Sequence, residues 1–465
     1  FRSISATGGN GFVQVEWTEP GVYTCADEAI PSLPFNAIGS NVGMGDDWLV
    51  QSSQGADYAY LLVITNPIVI DITEHINLKK DNVITVWADN SDDPSYPPGK
   101  EQDLLDFTYF GGIYRDCWLI THTKTYITNA NHEDIPAGGG LLVAYKNVSE
   151  NSADIILNLH TNNEINKKFH GYIEYDFVSS EGKRVTKEKI PLSINSESDT
   201  TTKHTITIKK PSLWSPETPY LYNLYIKIKD ENGNIIDGYR KKIGIRSIEF
   251  KGKDGFWLNG KPYNKPLIGA NRHQDFAIIG NALPNSIHWR DAKKLKDVGM
   301  SVIRNAHYPQ DPAFMDACDE LGLFVIVNTP GWQFWNKDPK FESLVYQNIR
   351  NMIRRDRNHA SIFLWEPILN ETWYPDYFAK RTVEIVAEEF PYKNSYAVSD
   401  DIAKGSEHFQ IQYAHPYAGD IGWGKEKKDP SKTYFTREWG DNVDTWNAHN
   451  STSRVSRGWG EHAML

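Results

Sequence analysis

The feature that most constrains the fold is a change of pattern near residue 256 of this 465-residue chain. Before it, short β-branched runs are separated by turn formers at regular intervals. After it, short apolar runs alternate with segments of helical periodicity, the clearest of which carries one apolar face at Phe341, Leu344, Val345, Ile349, Met352 and Ile353. Strands that alternate with helices form a parallel sheet, so the sequence predicts β-sandwich domains followed by an α/β domain.

The α/β part is predicted to be a (β/α)8 barrel, or TIM barrel, over residues 251–465. Seven strand-like runs follow residue 256, and they begin near residues 266, 301, 323, 361, 395, 409 and 433. This number of strands suits a barrel better than an open sheet. The eighth strand is not recognised, so we expect the barrel to be incomplete at its C-terminal end.

The β-rich part divides into three segments. Strand-like runs recur over residues 125–250 with turn formers between them, which is typical of an immunoglobulin-like sandwich. Residues 65–124 contain two further β-branched runs, at 68–72 and 83–87, and are predicted to form strands. Residues 1–64 are punctuated by glycine, so we expect a β-rich segment and assign it no function.

Charge and composition exclude several functional classes. Sixty acidic residues against 49 basic ones leave a net charge of −11, so neither nucleic acid nor an anionic membrane is an expected partner. The sequence contains no run of about 18 apolar residues, so no membrane span is predicted. The three cysteines have no zinc-ligand spacing, and both a P-loop and a GxSxG motif are missing, so no cofactor is expected. The aromatic residues suit either β-rich cores or sugar binding.

Candidate catalytic groups stand where the predicted barrel strands end, since chemistry in such barrels lies at the C-terminal ends of the strands. The polar and aromatic residues at those ends are Asn271, His273, Arg304, His307, Trp332, Trp335, Glu366, Asn370, Glu371, Tyr413, Arg437 and Glu438. Two carboxylates on different strands suit a glycosidase, in which one protonates the leaving oxygen and the other attacks the anomeric carbon.

Several of these residues also have a structural interpretation. Glu366 lies five residues before Glu371, and its role is either surface charge or orientation of that residue. His273 and His307 suit packing as well as a site. Trp332 and Trp335 suit the core as well as stacking on a sugar ring. The residues alone leave these alternatives open.

A set of motifs resembles glycoside hydrolase family 2. They follow in order over roughly residues 66–445, at 109–116 (YFGGIYRD), 212–222 (SLWSPETPYLY), 269–273 (GANRH), 304–309 (RNAHYP), 370–371 (NE) and 438–440 (EWG). The resemblance implies a jelly-roll sugar-binding domain, of which residues 65–124 would be part, then the immunoglobulin-like domain and the catalytic barrel. It also implies a retaining exo-glycosidase similar to bacterial β-galactosidases, to which β-glucuronidases and β-mannosidases are related.

The resemblance assigns roles to individual residues. Glu371 would be the general acid/base and Glu438 the nucleophile. The substrate-binding residues would be Asp106, His273, His307, Asn370, Tyr413 and Trp439. Trp332 and Trp335 are added to this set from their position after the third strand and their aromatic character. Some β-galactosidases hold magnesium through a Glu and a His after the third strand, and residues 328–335 contain neither, so no metal is predicted.

The expected partner is therefore a glycoside or oligosaccharide substrate. A homo-oligomer is compatible with the sequence, and a soluble periplasmic or secreted protein is favoured over a cytoplasmic one. Two alternatives stay open: a β-glucuronidase or β-mannosidase of the same family, and a non-catalytic sugar-binding protein, which the unrecognised eighth strand motivates.

Overall fold

The first four strands form one antiparallel sheet. In the computed structural model, the described part of the first 63 residues is the backbone of β1 (Val13–Trp17), β2 (Asp46–Ser52) and β3 (Gly55–Val63). Beyond them the structure describes residues 68–77, 82–88, 91–105, 110–330, 335–368, 372–393, 395–414 and 429–437. With β4 (Asn82–Ala88) the sheet order is β1-β4-β2-β3, so it joins strands from both sides of residue 64, where the sequence placed a boundary. The domain limits stay predictions.

Residues 68–72, predicted as a strand, are not one. Ile68 is buried at 2% exposure, but the run has no pairing partner among the described strands and leads into a 3-10 turn at Thr73–His75. The carboxylate of Asp71 accepts a hydrogen bond from the backbone N–H of Thr73 at 2.8 Å, which closes an Asx turn. That local hydrogen bond turns the chain away from an extended course.

Residues 125–243 form a sandwich of two antiparallel sheets, as predicted. One sheet contains β5 (Thr125–Ile127), β6 (Leu141–Lys146), β7 (Ser152–Asn163) and β10 (Ser198–Lys209), and the other contains β8 (Phe169–Val178), β9 (Arg184–Ile194), β11 (Tyr222–Asp230) and β12 (Ile235–Ile243). A short helix, α1 (Ala130–Glu133), follows β5. Alternate apolar residues such as Ile155, Leu157 and Tyr175 fill the core between the sheets.

A three-stranded connection leads from the sandwich into the parallel domain. It contains β13 (Ile248–Phe250), β14 (Phe256–Leu258) and β15 (Lys261–Pro262). The seven barrel strands that the structure describes are β16 (Gly269–Asn271), β17 (Val302–Asn305), β18 (Phe324–Asn328), β19 (Ile362–Glu366), β20 (Val398–Asp400), β21 (Ile411–Tyr413) and β22 (Thr433–Phe435). They pair in parallel and in chain order, with a bridge between Trp365 and Ala397 that connects β19 to the last three strands.

Four helices pack on the outer face of these strands. They are α2 (Asn285–Asp297), α3 (Pro312–Leu321), α4 (Pro339–Asp356) and α5 (Asp376–Glu389). Side chains of Asp311 and Asp338 cap α3 and α4 by accepting backbone N–H groups of the first turn. The apolar face predicted for α4 is confirmed, since Phe341, Val345 and Ile349 are buried against the sheet. None of the described helices has the length and apolarity that crossing a membrane requires.

Candidate active site

A layer of charged side chains lies inside the barrel at the C-terminal ends of the strands. The apolar interior beneath it includes Val302, Ile326, Leu364, Val398 and Ile411. Two positions further along each strand, the alternation of a β-strand brings polar side chains to the same interior face. We call this set the polar layer, and it consists of Arg304, Glu366, Asp400, Tyr413 and Arg437.

The first half of the polar layer is a buried ion pair between strands β17 and β19. The Nε atom of Arg304 donates to Oε2 of Glu366 at 2.7 Å, and its Nη2 atom contacts Oε1. The two side chains are 2% and 0% exposed. Glu366 is therefore not a surface charge, and one of the two interpretations that the sequence left open is excluded.

Tyr413 joins this pair from strand β21. Its hydroxyl donates to Oε2 of Glu366 at 2.7 Å, and the side chain is fully buried. Burial, with the negative charge of Glu366, raises the pKa of Tyr413 well above its usual value, so the hydroxyl keeps its proton. Tyr413 thus lies beneath the mouth of the barrel and binds Glu366. Its contact with a sugar stays a prediction.

The second half of the polar layer is an ion pair between strands β20 and β22. The Nε atom of Arg437 lies 3.0 Å from Oδ1 of Asp400, and the side chains are 0% and 3% exposed. Arg437 immediately precedes Glu438, so this pair fixes the end of the strand that leads to the predicted nucleophile. Sequence reasoning did not single out Asp400. The sequence feature that could have identified it is its position at the end of the fifth barrel strand, because the candidate residues of the other strands lie at the corresponding ends.

His273 and His307, predicted at the ends of neighbouring strands, lie together. Their rings meet edge to face with centroids 5.6 Å apart. His307 is 7% exposed, and burial, together with the nearby charge of Arg304, holds its pKa well below 6.5. Its imidazole is therefore neutral at pH 7, when it can both donate and accept a hydrogen bond. Contact of these histidines with a sugar stays a prediction.

The segment that follows Asp106 is held against this edge of the barrel. The Nη2 atom of Arg115 donates to Oε1 of Gln274 at 2.9 Å and to the carbonyl of Pro309 at 2.8 Å. Gln274 and Pro309 lie in the loops after β16 and β17. Arg115, in the motif at residues 109–116, thus bridges two loops at the mouth, which is where the resemblance expects a sugar-binding contribution from the N-terminal domain.

The remaining predicted site residues divide into two groups. Trp335 packs against Phe341 and Phe378 with ring centroids 5.7 and 4.4 Å away, so part of its surface belongs to the core. Its contact with a sugar stays a prediction. The others lie outside the described residues, namely Asp106, Trp332, Asn370, Glu371, Glu438 and Trp439.

Asn328 is a polar residue at the mouth that sequence reasoning did not select. It is in register with Glu366, is 0% exposed, and has no hydrogen-bond partner for either amide atom within the described structure. Buried amides are normally paired. Its position at the end of the third strand was the only signal, since the residue type alone is common in loops.

Within the part of the chain that the structure describes, two groups of side chains have ligand atoms close enough for a metal ion. In the first, formed by Asp316, Asp319 and His359, Asp319 already accepts from Ser361, and the ammonium group of Lys241 lies 3.3 Å from Nε2 of His359. A cation at this position would be repelled by that ammonium. The second is largely exposed and consists of Asp376, Glu407 and His408. Neither group belongs to the polar layer.

Comparison with known proteins gives two matches to family models. The model "Glycosyl hydrolases family 2" matches residues 142–246, which cover most of the sandwich. The model "Glycosyl hydrolases family 2, TIM barrel domain" matches residues 248–387, which contain the first four barrel strands. The two matches are adjacent and have the order that the resemblance predicted.

Curated relatives carry two different names. A "Beta-galactosidase" of Thermoanaerobacter pseudethanolicus is 35% identical over 322 residues, which are 69% of this chain and 40% of the relative. A "Putative beta-glucuronidase" of Formosa agariphila is 33% identical over 308 residues, which are 66% of this chain and 34% of the relative. The chain thus spans less than half the length of these relatives.

Solved structures show a similar fold. A putative β-galactosidase from Bacteroides fragilis superposes with a TM-score of 0.73 at 24% identity, over 86% of this chain and 57% of that one. A β-glucuronidase from Bacteroides uniformis gives a TM-score of 0.72 at 24% identity, over 86% of this chain and 46% of that one. At this identity the likeness concerns the fold.

Proposed function

Because the chain belongs to glycoside hydrolase family 2, we propose that it is a retaining exo-glycosidase that hydrolyses terminal β-D-galactosides. The observation that carries the proposal is the polar layer, whose two ion pairs fix the strand ends leading to Glu371 and Glu438. Glu366 lies five residues before Glu371, and Arg437 lies one residue before Glu438. Catalytic carboxylates need such fixed positions, because errors of about 1 Å cost orders of magnitude in rate.

The reaction proceeds in two displacements. In the first, the carboxylate of Glu438 attacks the anomeric carbon while Glu371 gives its proton to the glycosidic oxygen, and the bond between that carbon and oxygen breaks. In the second, Glu371 takes a proton from water, the water oxygen bonds to the anomeric carbon, and the ester to Glu438 breaks. Glu371 must therefore hold a proton when the first displacement begins and be ionised when the second begins.

The neighbouring groups suit this chemistry. Neutral His307 beside His273 offers hydrogen-bond donors and acceptors for sugar hydroxyls at the mouth of the barrel. Arg304 and Arg437 have carboxylate partners, so the barrel interior carries no uncompensated charge in the polar layer. Asn370, next to Glu371, is the proposed ligand of the sugar 2-hydroxyl, a contact that strengthens in the transition state.

A β-glucuronidase is the second candidate. Relatives of this name stand beside the β-galactosidases at similar identity, for example 33% against 35% over comparable lengths. The catalytic carboxylates would be the same for both glycones. A glucuronide differs from a galactoside by a carboxylate in place of the C6 hydroxymethyl group and by the configuration at C4. The two candidates therefore differ in which groups surround C4 and C6 of the sugar rather than in the reaction.

Hydrolysis of a panel of nitrophenyl β-glycosides tests the proposal. The panel contains the galactoside, glucuronide, mannoside, glucoside and fucoside, and the same assays are run on Glu371→Gln and Glu438→Gln. We expect turnover of the galactoside by the parent chain and a loss of at least about 10³-fold in kcat for Glu438→Gln, since an amide cannot act as the nucleophile.

A 2-deoxy-2-fluoro galactoside with a good leaving group gives an independent readout. Its slow second displacement should leave a glycosyl ester that adds the mass of the sugar to the parent and not to Glu438→Gln. Turnover of the glucuronide alone would replace the galactoside proposal by the second candidate. A folded chain that binds sugar and hydrolyses no glycoside would establish the sugar-binding alternative instead.

A further inference from the structure

The loop after β19 presents one tryptophan to solvent. The side chain of Trp373 is 75% exposed, whereas the exposed tryptophans Trp118 and Trp289 reach 42% each. Tryptophan is usually well buried, because its large apolar surface is costly to hydrate. A ring this open at the C-terminal edge of a parallel barrel, where substrates bind, has the character of a binding surface.

The exposed ring stands on a rigid support. Tyr374, the next residue, is 2% exposed, and its N–H donates to the carbonyl of Thr372 at 3.0 Å. Helix α5 begins at Asp376, and in its first turn the hydroxyl of Tyr377 donates to Glu342 of α4 at 2.9 Å. The buried tyrosine and the helix both follow Trp373 and hold its backbone from that side, which lowers the conformational cost of binding a ligand at this position.

The position of Trp373 relates it to the leaving group. It lies two residues after Glu371, so the two Cα atoms are at most about 7 Å apart. A general acid protonates the glycosidic oxygen from the side on which the aglycone departs. A side chain next to this acid on the open side of the loop is therefore placed to contact the aglycone rather than the glycone.

We propose that Trp373 is a stacking platform for a sugar ring on the leaving-group side of the scissile bond, which makes the natural substrate an oligosaccharide. The proposal rests on the proposed function, since it takes Glu371 as the acid. A pyranose has an apolar C–H face and a rim of hydroxyls. The open indole suits that face.

The test compares two substrates that share one glycone, which is the glycone selected by the nitrophenyl panel. One is the β-glycosyl fluoride, whose leaving group has no ring to stack, and the other is a β-linked disaccharide with glucose as the aglycone. For Trp373→Ala we expect kcat/KM for the disaccharide to fall about tenfold more than for the fluoride, the effect of losing one aromatic stacking contact. Trp373→Phe should restore most of the difference.

A control is Trp289→Ala, which removes the same indole side chain, 42% exposed, from helix α2. It should leave the ratio of the two specificity constants as in the parent. Equal losses on both substrates in Trp373→Ala, or none on the disaccharide, would overturn the proposal while leaving the proposed function intact. A larger loss on an aryl glycoside than on the disaccharide would also overturn it, since the occupant would then be a planar aromatic. A parent without turnover on any substrate overturns the proposed function itself, and the platform with it.

Discussion

At the residue scale, the ion pair between Asp400 and Arg437 is a contact whose disruption should cost much stability. Both side chains are almost fully buried, so neither charge can be hydrated if its partner is removed. Breaking a buried ion pair by removing one partner is much more costly than replacing both. The stability that depends on this pair therefore resides in the match between two charges and not in either residue alone.

Asp400→Asn should lower the free energy of unfolding by about 3–5 kcal/mol, because it removes the carboxylate 3.0 Å from the buried Arg437 guanidinium. Urea unfolding followed by tryptophan fluorescence measures the change. The double variant Asp400→Asn/Arg437→Gln should recover much of the loss, since it removes both charges together. An exposed ion pair, Glu150 with Lys261, gives the control, and Glu150→Gln should leave the midpoint unchanged. Equal loss in the single and double variants would contradict this account.

Sequence reasoning brought some of these residues together and missed others for a definable reason. His273 and His307 follow adjacent parallel strands, so their proximity is dictated by register and was predictable. The pairing of Glu366 with Arg304 and Tyr413 was not, because three strands contribute to it and side-chain direction depends on the local pleat. Asp400 and Asn328 belong to no recognised motif, and their place in the site is seen only in the folded interior of the barrel.

At the element scale, helix α2 is docked through a buried histidine. His288 is 0% exposed, and burial lowers its pKa to about 4. The ionisable groups facing it come from several elements and are Arg272, Asp291, Asp311 and Arg115. A histidine that is neutral in the folded chain and takes up a proton when unfolded makes stability depend on pH.

The sign follows from the two pKa values of His288. Above the unfolded value of about 6.5 the contribution is fully present, and it is lost progressively as the pH falls from about 6.5 towards 4. Between pH 7 and pH 5 we expect His288 to account for a loss on the order of 2 kcal/mol. His288→Gln should flatten this part of the profile, measured as the unfolding free energy at each pH. His170→Gln, at an exposed position on β8, is the control, and an unchanged slope in His288→Gln would refute the assignment.

Elements with a clear apolar period were predictable, and elements defined by their neighbours were not. The α4 stripe and the strands β6, β7, β8, β10 and β11 lie where the sequence placed them. β9 and β12 were missed because lysine and arginine recur through both strands and interrupt the apolar alternation. Residues 68–72 were assigned wrongly because β-branched residues favour a strand only where a partner strand exists.

At the scale of the whole molecule, the sandwich and the barrel are joined by hydrogen bonds between side chains that follow α4 and backbone groups of the sandwich. The side chain of Asn358 accepts from the N–H of Val143 at 2.8 Å and donates to the carbonyl of Leu141 at 2.9 Å. Arg357 adds bonds to the carbonyls of Gly138 and Gly139 at 2.9 and 2.6 Å. The two domains therefore share polar groups that neither satisfies alone.

Asn358→Ala should weaken this coupling, because it removes the acceptor of the Val143 N–H, at about 1–3 kcal/mol, and one of the two side-chain donors to the carbonyl of Leu141. Calorimetry should record one cooperative transition for the sandwich and barrel in the parent and a separate, earlier transition in the variant. Asn234→Ala is the control, since its side chain bonds only to Asp230 within one turn of the sandwich. A single unshifted transition in Asn358→Ala would show that the apolar contacts alone couple the domains.

The domain order was predictable from the chain, but the junction was not. The pattern change near residue 256 separates strands from alternating strands and helices, and the family models divide at residues 246 and 248. In the sequence, Arg357 and Asn358 cannot be distinguished from solvent-exposed residues at the end of a helix. Their role depends on which sandwich strand lies opposite, and this is set by the assembled tertiary structure.

The polar layer also bears on how such a protein diversifies. Its two guanidinium groups and two carboxylates balance one another inside the barrel, so the chemistry-bearing strand ends stay anchored whatever the loops above them contain. Mutations in those loops should therefore affect the stability of the fold little. The sugar preference of such a protein can then change during evolution while the residues of the barrel interior stay the same. For a protein engineer, the same separation marks the loops as the place to randomise and the anchored strand ends as the part to leave alone.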